Sequence, residues 1–488
     1  MTEYVIVCMV MSAPPNGASC QGGHADRALA VALGLATLLF VIHRALGPMD
    51  ETDLFFHLKI GQLILARHAI PFRNLFSFTY PDHPDPDLSW GFQVTVALLY
   101  RAGGFVAVSL LKTALVTFAA MLVHRACRRG GAGPLASAAA TALAVVAAEQ
   151  RIVERPHLVT FVGLGALLLL LVESERGRAR LLWWIVPLTI AWANFHAGVF
   201  LAPVVLALYA LGAELDRRPL APRRTVLILL ALTTLATCAT PAGLELPKYL
   251  LWHTGLGATR IIEEFRRADL YDDPWFFVML GACAVACLRR GRAVGMRRLL
   301  PALALAPLAF RSVRFVAEWA FVAAPLVAAG AGGLTAQRRL HRIALALATL
   351  LLVTRVATAR IGRPLAIGLA PDVVPFDAIA FATARGLRAR MYSDLDVGCY
   401  LLWEGWPRWQ VFQDARLPAY PDDFHRALDR TPLAPAAFDA LLQHYGVDAA
   451  LLDEPDVNMR SGSFDPDKWA LVFRSSDALV FARRIPKF

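Results

Sequence analysis

The sequence predicts a polytopic α-helical membrane protein of about eleven transmembrane helices with a small C-terminal α/β extracytoplasmic domain. Of its 488 residues, 57% are hydrophobic and only 18% are charged. Apolar runs recur along the first three quarters of the chain, and short arginine-rich loops separate them. Soluble proteins of this length are far more polar, whereas this alternation is typical of multi-pass membrane proteins.

The apolar runs define the membrane domain, residues 27–358. Several runs are shorter than the roughly 20 residues of a spanning helix, so we expect their ends to extend into the flanking polar residues. Residues 1–26 lack the basic start of a cleaved signal and are predicted to be a cytoplasmic leader. The predicted spans are residues 27–47, 105–124, 133–149, 158–173, 181–193, 198–213, 225–240, 275–288, 299–310, 315–330 and 343–358.

Lysines and arginines predict the orientation. With a cytoplasmic N-terminus, the inner loops carry 18 arginines in 42 residues, and the outer segments carry 11 lysines and arginines in 93 residues. This asymmetry follows the positive-inside rule and predicts that the C-terminal part lies outside, which is the periplasm if the membrane is the inner membrane of a Gram-negative bacterium. The inner loops are residues 125–132, 174–180, 214–224, 289–298 and 337–342; the outer segments are residues 48–90, 150–157, 194–197, 241–274 and 311–314.

The same distribution explains the net charge of +11, which lies in the short loops and does not indicate a nucleic-acid partner. The seven cysteines show no metal-ligand spacing, and Cys399 alone falls in the C-terminal part, so no disulfide framework is expected.

Residues 359–488 differ in character and are predicted to form the periplasmic α/β domain. Short β-type runs such as "DAALLD" and "WQVFQD" alternate with helical stretches. "WALVFRSSDALVFARR" predicts a hairpin that turns at "SSD". The helical stretches lie near residues 397–405, 421–429 and 435–445.

Ionisable residues at membrane depth are costly and by default mark a functional site. Here five outer segments bring carboxylates, imidazoles and guanidinium groups to one side of the bilayer, which predicts a polar cavity that opens outward. The candidate residues are Asp50, Glu51, Asp53 and His57 in the first outer loop (residues 48–90), Arg151, Arg155 and His157, Asn194 and His196, Glu263 and Glu264, and Arg311 and Arg314.

Each of these groups also has a structural interpretation. Asp53 and His57 lie one helical turn apart and could pair on a juxtamembrane helix. Arg151 and Arg155 could extend to lipid headgroups, and His196 could be an interfacial hydrogen-bonded histidine. A divalent metal held by Asp53 and His57 is compatible with the residue types but weakly supported by their spacing.

Taken together, the groups suit one reaction. A carboxylate whose pKa is tuned by neighbouring carboxylates can act as a base, and arginines bind phosphate in a bidentate manner. Apolar helices below would supply a groove for a lipid tail. This combination predicts transfer of a group from a lipid-phosphate donor to an acceptor that arrives from outside.

The acidic motif "MDETD" just after the first helix resembles the GT-C superfamily of membrane glycosyltransferases, which includes protein O-mannosyltransferases and aminoarabinose transferases. "DLFFH", "IPFRNLFSFT", "LSWGFQ", "RPH", "NFHAG" and "IIEEF" look like motifs of a bacterial GT-C-like subfamily, and "YSDLDVGCYLLWEGWPRWQVFQDARLPAY" resembles the start of its C-terminal module. The resemblance covers most of the chain, but each motif is short.

The resemblance implies an inverting glycosyltransferase that uses a polyprenyl-phosphate sugar. It assigns the catalytic base to Asp50, with Glu51 in support, and leaves Asp53 as the rival base. The acceptor could be a lipid, a glycan or a protein, with membrane lipids around the helices. Superfamily members differ in metal use, so no metal ligand is assigned.

Two other functions remain open at this stage. A transporter would favour internal repeats and charges at mid-membrane, whereas the charges here lie on one face. A non-catalytic GT-C-like scaffold in envelope polysaccharide assembly would retain the same carboxylates. Four residues of the C-terminal domain could either help select the acceptor or be turn and strand-end residues; these are Asp394, Asp396, Asp414 and Arg416.

Overall fold

A computed structural model describes most of the chain, namely residues 20–248, 263–331, 367–387, 390–430, 435–453 and 461–484. Most of the predicted leader and the predicted span 343–358 lie outside these residues.

The part before residue 332 is helical. Its α-helices are α1 (Cys20–Ala45), α2 (Asp53–Arg67), α3 (Trp90–Arg129), α4 (Pro134–Ala147), α5 (His157–Glu175), α6 (Ile185–Ala193), α7 (Leu201–Leu215), α8 (Arg223–Ala236), α9 (Pro274–Val294), α10 (Met296–Arg311) and α11 (Val316–Gly330). Three-residue 3-10 helices that matter for the site are Glu149–Arg151, Glu263–Phe265 and Val313–Phe315.

Each predicted span that falls on described residues coincides with one of these helices. Five helical segments are long and apolar enough to cross a membrane by length and composition: Trp90–Arg129, His157–Glu175, Ala197–Leu215, Pro274–Gly291 and Val313–Gly330. A mostly helical protein with several helices that are long and apolar enough to cross a membrane is therefore confirmed, and the count of eleven stays a prediction.

The helices differ from the predicted spans at two places. The first outer loop contains α2, and α3 begins at Trp90 instead of residue 105. Within α3 the backbone leaves helical geometry at Gly103 and at Gly104, whose φ is 60°. Glycine adopts this left-handed conformation without strain, so the glycine pair allows two helical stretches to join at a bend.

Small residues allow the helices to pack closely. A Cβ atom on Gly163 of α5 would lie 2.4 Å from the Trp192 ring of α6. A Cβ atom on Gly330 of α11 would lie 2.1 Å from the Cβ of Ala286 in α9. Close approach through small residues is a general feature of helix packing in membranes.

The C-terminal segment (residues 367–484) contains a four-stranded mixed sheet. Its strands are numbered β3 to β6 in chain order, because β1 and β2 form a separate pair described below, and they lie in the order β3-β4-β6-β5. β3 and β4 are parallel, and the other neighbours are antiparallel. The predicted hairpin is present, because β5 and β6 pair across the "SSD" turn. The strands are β3 (Met391–Tyr392), β4 (Ala449–Asp453), β5 (Trp469–Arg474) and β6 (Ala478–Arg483), and the helices are α12 (Phe376–Ala384), α13 (Leu395–Gly405), α14 (Asp422–Arg430) and α15 (Pro435–His444).

One predicted strand is wrong. "WQVFQD" does not join the sheet; Val411 instead forms a single parallel bridge with Ser77 of the first outer loop. Val411 N donates to Phe76 O at 3.0 Å, and Phe78 N donates to Val411 O at 3.1 Å. The alternation of apolar residues is real, but these residues pair with a distant loop and not with a neighbouring strand.

The first outer loop and the C-terminal segment share further contacts. Pro48 and Met49, which form β1, pair in parallel with β2 (Gly368–Leu369). The Phe55 ring of α2 packs on Tyr400 and Trp403 of α13, with ring centroids 5.1 and 5.4 Å apart. The acidic motif at the start of α2 is thus fixed between the helices and the C-terminal segment.

A buried ion pair stabilises this junction. The Arg416 guanidinium donates to both carboxylate oxygens of Asp414 at 2.7 and 2.8 Å, and to Asp85 Oδ2 at 2.6 Å. Its Nη2 also donates to Asn74 Oδ1 at 3.0 Å. Arg416 and Asp414 are therefore placed to hold the fold together, and Asp414 is fully buried.

We predict that Arg416→Met lowers the free energy of unfolding by about 3–5 kcal/mol, because it leaves buried carboxylates without a cation. The measurement is the melting temperature of the purified full-length protein in detergent. Arg426→Met is the matched control, since Arg426 is an exposed arginine of the same segment and pairs with nearby acids on α14. Equal melting temperatures for the two variants would contradict this role.

Candidate functional site

Four segments that connect the helices meet in a cluster of alternating charges. The acidic motif lies between α1 and α2, the Arg151–Arg155 turn lies between α4 and α5, and the Glu263–Phe265 turn lies against the residues that join α10 to α11. The six predicted residues that ion pairs connect are Glu51, Asp53, Arg151, Arg155, Glu264 and Arg314.

Arg155 is at the centre of the cluster. Its Nη2 donates to Glu51 Oε1 at 2.9 Å, and its Nε lies 2.7 Å from Glu51 Oε2. The same Nε lies 3.1 Å from Asp53 Oδ2, and Nη1 contacts Glu264 Oε1. One guanidinium thus contacts three carboxylates from two separate loops. The Arg155 side chain is 25% exposed.

Glu264 has the converse arrangement, because its one carboxylate contacts three guanidinium groups. Its Oε1 lies 2.6 Å from Arg151 Nη1 and also contacts Arg155, while its Oε2 lies 3.1 Å from Arg314 Nη1. The Arg314 guanidinium also lies over the Phe265 ring, 5.2 Å from its centroid. The three arginines therefore converge on a single anion.

This sharing separates the proton affinities of two carboxyl groups. Burial raises the pKa of Asp53 to about 8, because Arg155 is shared with Glu51 and Glu264 and offsets only part of the cost. Burial acts in the same direction on Glu264, but the guanidiniums of Arg151, Arg155 and Arg314 outweigh it and lower its pKa to about 2. Asp53 therefore binds a proton near neutral pH, whereas Glu264 stays ionised.

Two histidines lie next to the cluster, and one of them, His157, contacts Arg151. His157 Nδ1 accepts from Arg151 Nη2 at 3.3 Å, and His157 Nε2 donates to the Arg151 carbonyl at 2.6 Å. The His196 ring lies 6.3 Å from the His157 ring. Its Nδ1 accepts from Gly198 N at 3.1 Å and contacts Thr160 Oγ1 at 2.7 Å. Both imidazoles thus use their ring nitrogens to fix loops.

His57 is a buried residue of α2 and does not belong to the charge cluster. Its ring packs on Phe56 and Phe92, with centroids 4.1 and 5.5 Å apart. Burial, together with the Arg155 charge, holds its pKa well below the usual range. His57 is therefore neutral, and the contacts described for its ring are with the aromatic rings of Phe56 and Phe92.

Three further predicted site residues with described side chains, Asp50, Asn194 and Arg311, do not join the cluster. Asp50 is exposed, and its side chain has no ion pair to another described residue. The amide of Asn194 accepts from Trp90 Nε1 and donates to the Ile190 carbonyl, both at 2.8 Å, so it joins helices. Arg311 ends α10 with an exposed side chain. The side chain of Glu263 lies outside the described residues.

The sequence analysis did not select three buried charged residues near the site. Lys112 of α3 pairs with Glu154 at 2.6 Å, and their side chains are only 6% and 1% exposed. Glu318 lies four residues after Arg314 and is buried in α11. Lys112 and Glu318 are lone charges within long apolar runs, and such a charge is itself a sequence signal for a functional site.

A further acidic group lies beside the acidic motif. Carboxylate oxygens of Asp394, Asp396 and Asp453 lie within 4.8 Å of one another and could hold a metal ion. Thr52 Oγ1 donates to Asp396, which connects this group to the residue before Asp53. Because all three ligands are oxygens, the group suits Mg²⁺ or Mn²⁺ better than Zn²⁺.

No protein-family model matches the sequence, and no curated protein does. Solved structures do match. The archaeal oligosaccharyltransferase AglB from Archaeoglobus fulgidus, in complex with an inhibitory peptide and a dolichol-phosphate, has a TM-score of 0.61 at 11% identity, over 96% of this chain and 75% of its own. The Archaeoglobus fulgidus oligosaccharyltransferase in complex with Zn and sulfate has a TM-score of 0.56 at 11% identity, over 93% and 73%. ArnT from Cupriavidus metallidurans bound to undecaprenyl phosphate has a TM-score of 0.49 at 14% identity, over 95% and 98%.

The oligosaccharyltransferases belong to the GT-C superfamily, so the resemblance that the sequence motifs predict is confirmed at the level of the fold. At 11% identity the likeness shows the fold alone, and the chemistry has to be argued from the cluster itself. This chain therefore has a fold similar to that of the archaeal oligosaccharyltransferase.

Proposed function

We propose that the protein is a membrane glycosyltransferase that moves a sugar from a polyprenyl-phosphate donor to an acceptor outside the cytoplasm. The observation that carries the proposal is the convergence of Arg151, Arg155 and Arg314 on one anionic position beside the acidic motif. An arginine set of this kind suits a phosphate, and apolar helices lie directly below it. The dolichol-phosphate bound to the AglB neighbour supports the choice of donor class.

The proposed location is the bacterial inner membrane. The N-terminus would lie in the cytoplasm and the C-terminal segment in the periplasm, as the excess of arginine in the inner loops predicts. The site would then open to the periplasm, where lipid, glycan and protein acceptors of the cell envelope are available.

In the proposed reaction a carboxylate removes the proton from an acceptor hydroxyl. The acceptor oxygen attacks the anomeric carbon of the sugar, a new C–O bond forms, and the bond from that carbon to the phosphate oxygen breaks with inversion. The electron pair leaves with the phosphate, and the arginines stabilise the added charge. The proton remains on the carboxylate until solvent takes it.

Asp53 is the carboxylate that we propose as the base. A general base works best when its pKa lies near the working pH, and the pKa of Asp53 is raised to about 8. Both oxygens of Glu51 face Arg155, so Glu51 is better suited to hold that arginine in place. Asp50, which the sequence motif favours, is exposed and lies outside the cluster, and it is the rival in this proposal.

A divalent metal would add positive charge near the acidic motif without changing the steps of the proposed reaction. Asp394, Asp396 and Asp453 would hold it, and it would supply positive charge next to Thr52. The steps above depend on the arginines and the acidic motif.

We predict that Asp53→Asn lowers the rate of sugar transfer about 10²–10⁴-fold, which is the usual contribution of a general base. Asp50→Asn is the matched control and should retain most of the activity. The measurement is transfer from a panel of undecaprenyl-phosphate sugars into cell-envelope acceptors by the purified protein in lipid. A large loss in Asp50→Asn alone would return the base to Asp50. Absence of transfer and of thermal stabilisation by every polyprenyl phosphate in the wild type would favour the non-catalytic scaffold.

We also predict an acidic limb in the pH profile of transfer. The active form of Asp53 is the ionised one and its pKa is about 8, so the rate should rise with pH and level off above about 8. Between pH 7 and pH 6 it should fall about tenfold, since one proton inactivates the base. A rate independent of pH from 5 to 8, under conditions where the chemical step limits the rate, would rule out Asp53 as the base.

A further inference from the structure

We infer that Glu264 is a resident anion of the phosphate site, which the donor phosphate must displace from the three arginines in order to bind. The inference rests on the proposed function and concerns how the same site takes its donor.

The contacts of Glu264 are those expected of a bound phosphate. Its two oxygens contact three guanidinium groups that come from two different loops. Carboxylate and phosphate are the two anions that the forked guanidinium geometry fits best. With a pKa lowered to about 2, the Glu264 carboxylate is charged at every physiological pH and so competes continuously.

The arginines do not depend on Glu264 for their positions. Arg155 is also held by Glu51 through two contacts, at 2.7 and 2.9 Å. Arg151 also donates to His157 at 3.3 Å, and the Arg314 guanidinium lies over the Phe265 ring. Removal of the Glu264 side chain would leave the three cations in place with one fewer anion among them.

The backbone around Glu264 is also fixed by other contacts. Ser312 Oγ donates to the Glu264 carbonyl at 3.1 Å, and Val313 N donates to the Arg266 carbonyl at 3.0 Å. Ala268 N donates to the Phe310 carbonyl at 3.0 Å. The carboxylate can therefore turn away without release of the loop. Its side chain is 20% exposed and that of Arg314 is 30% exposed, so an incoming phosphate can reach both.

The alternative is a structural clamp in which Glu264 keeps three like charges together. The two readings predict opposite signs for one substitution. If Glu264 competes with phosphate, Glu264→Gln tightens phosphate binding; if Glu264 is a clamp, the arginines repel one another and binding weakens.

The experiment measures the Kd of undecaprenyl phosphate for the full-length protein in lipid nanodiscs by intrinsic tryptophan fluorescence. We expect Glu264→Gln to bind about tenfold more tightly than wild type, since losing even one charge-assisted competing contact is worth at least that factor. Asp272→Asn removes one negative charge from an exposed position of the same outer segment and should match wild type within about twofold.

Each other outcome has one meaning. Equal or weaker binding by Glu264→Gln, with wild-type binding intact, overturns this inference and leaves the proposed function standing. No binding by wild type removes the proposed function itself. An equal gain for phosphatidic acid would show a general anionic-lipid site and would also overturn the inference. If Glu264→Gln is unstable by melting temperature, Glu264→Asp replaces it, because its shorter carboxylate cannot span three guanidinium groups and should again bind more tightly.

Discussion

The arrangement of the site depends on the sharing of a single guanidinium group. Arg155 faces Glu51, Asp53 and Glu264, and it is largely withdrawn from water. One cation cannot neutralise three carboxylates in a poorly solvated site, so their proton affinities separate. Glu264, which has two further arginines, keeps its charge, and Asp53, which has none, binds a proton near neutral pH. Two chemically identical groups, a few ångströms from the same cation, thereby acquire different properties.

Such sharing requires that the loops be held rigidly, and the C-terminal segment supplies part of that rigidity. The acidic motif follows β1, which pairs with β2, and precedes α2, which packs on α13. Thr52 donates to Asp396 in the first turn of α13. The first outer loop then continues into the Arg416 junction. The acidic motif is therefore fixed at both ends by residues more than 300 positions away in the sequence.

Local sequence signals predicted much of the fold, and about half of the predicted site residues belong to the cluster. Apolar runs located the helices, and the "SSD" turn located the β5–β6 hairpin, because both signals depend on neighbouring residues. The choice of outer loops brought together Glu51, Arg155 and Glu264 correctly, since helices that cross a bilayer must place their loops on one of two faces. Asp50 and Arg311 were selected by the same rule, yet they lie outside the cluster.

The failures concern long-range contacts. Nothing within "WQVFQD" reveals that its partner is Ser77, because alternation specifies an extended backbone and not the identity of the neighbour. Likewise the amide of Asn194 looked available for a substrate. Its oxygen, however, accepts from Trp90, and its nitrogen donates to the carbonyls of Ile190 and Ala239, which the sequence places 104, 4 and 45 residues away. Lys112 stands out in the sequence as a lone charge in an apolar run, but its pairing with Glu154 is visible only in three dimensions.

In the proposed mechanism the shared arginine also links the two substrates. Once a donor phosphate takes the place of Glu264 on the three arginines, Arg155 still faces three anions, namely Glu51, Asp53 and the phosphate. Because the cation stays shared, it offsets only part of the cost of burying Asp53, and the pKa of Asp53 would stay raised. Asp53 would therefore keep the proton affinity of a base near neutral pH while the donor is bound, so the acceptor hydroxyl would meet base and sugar in one site.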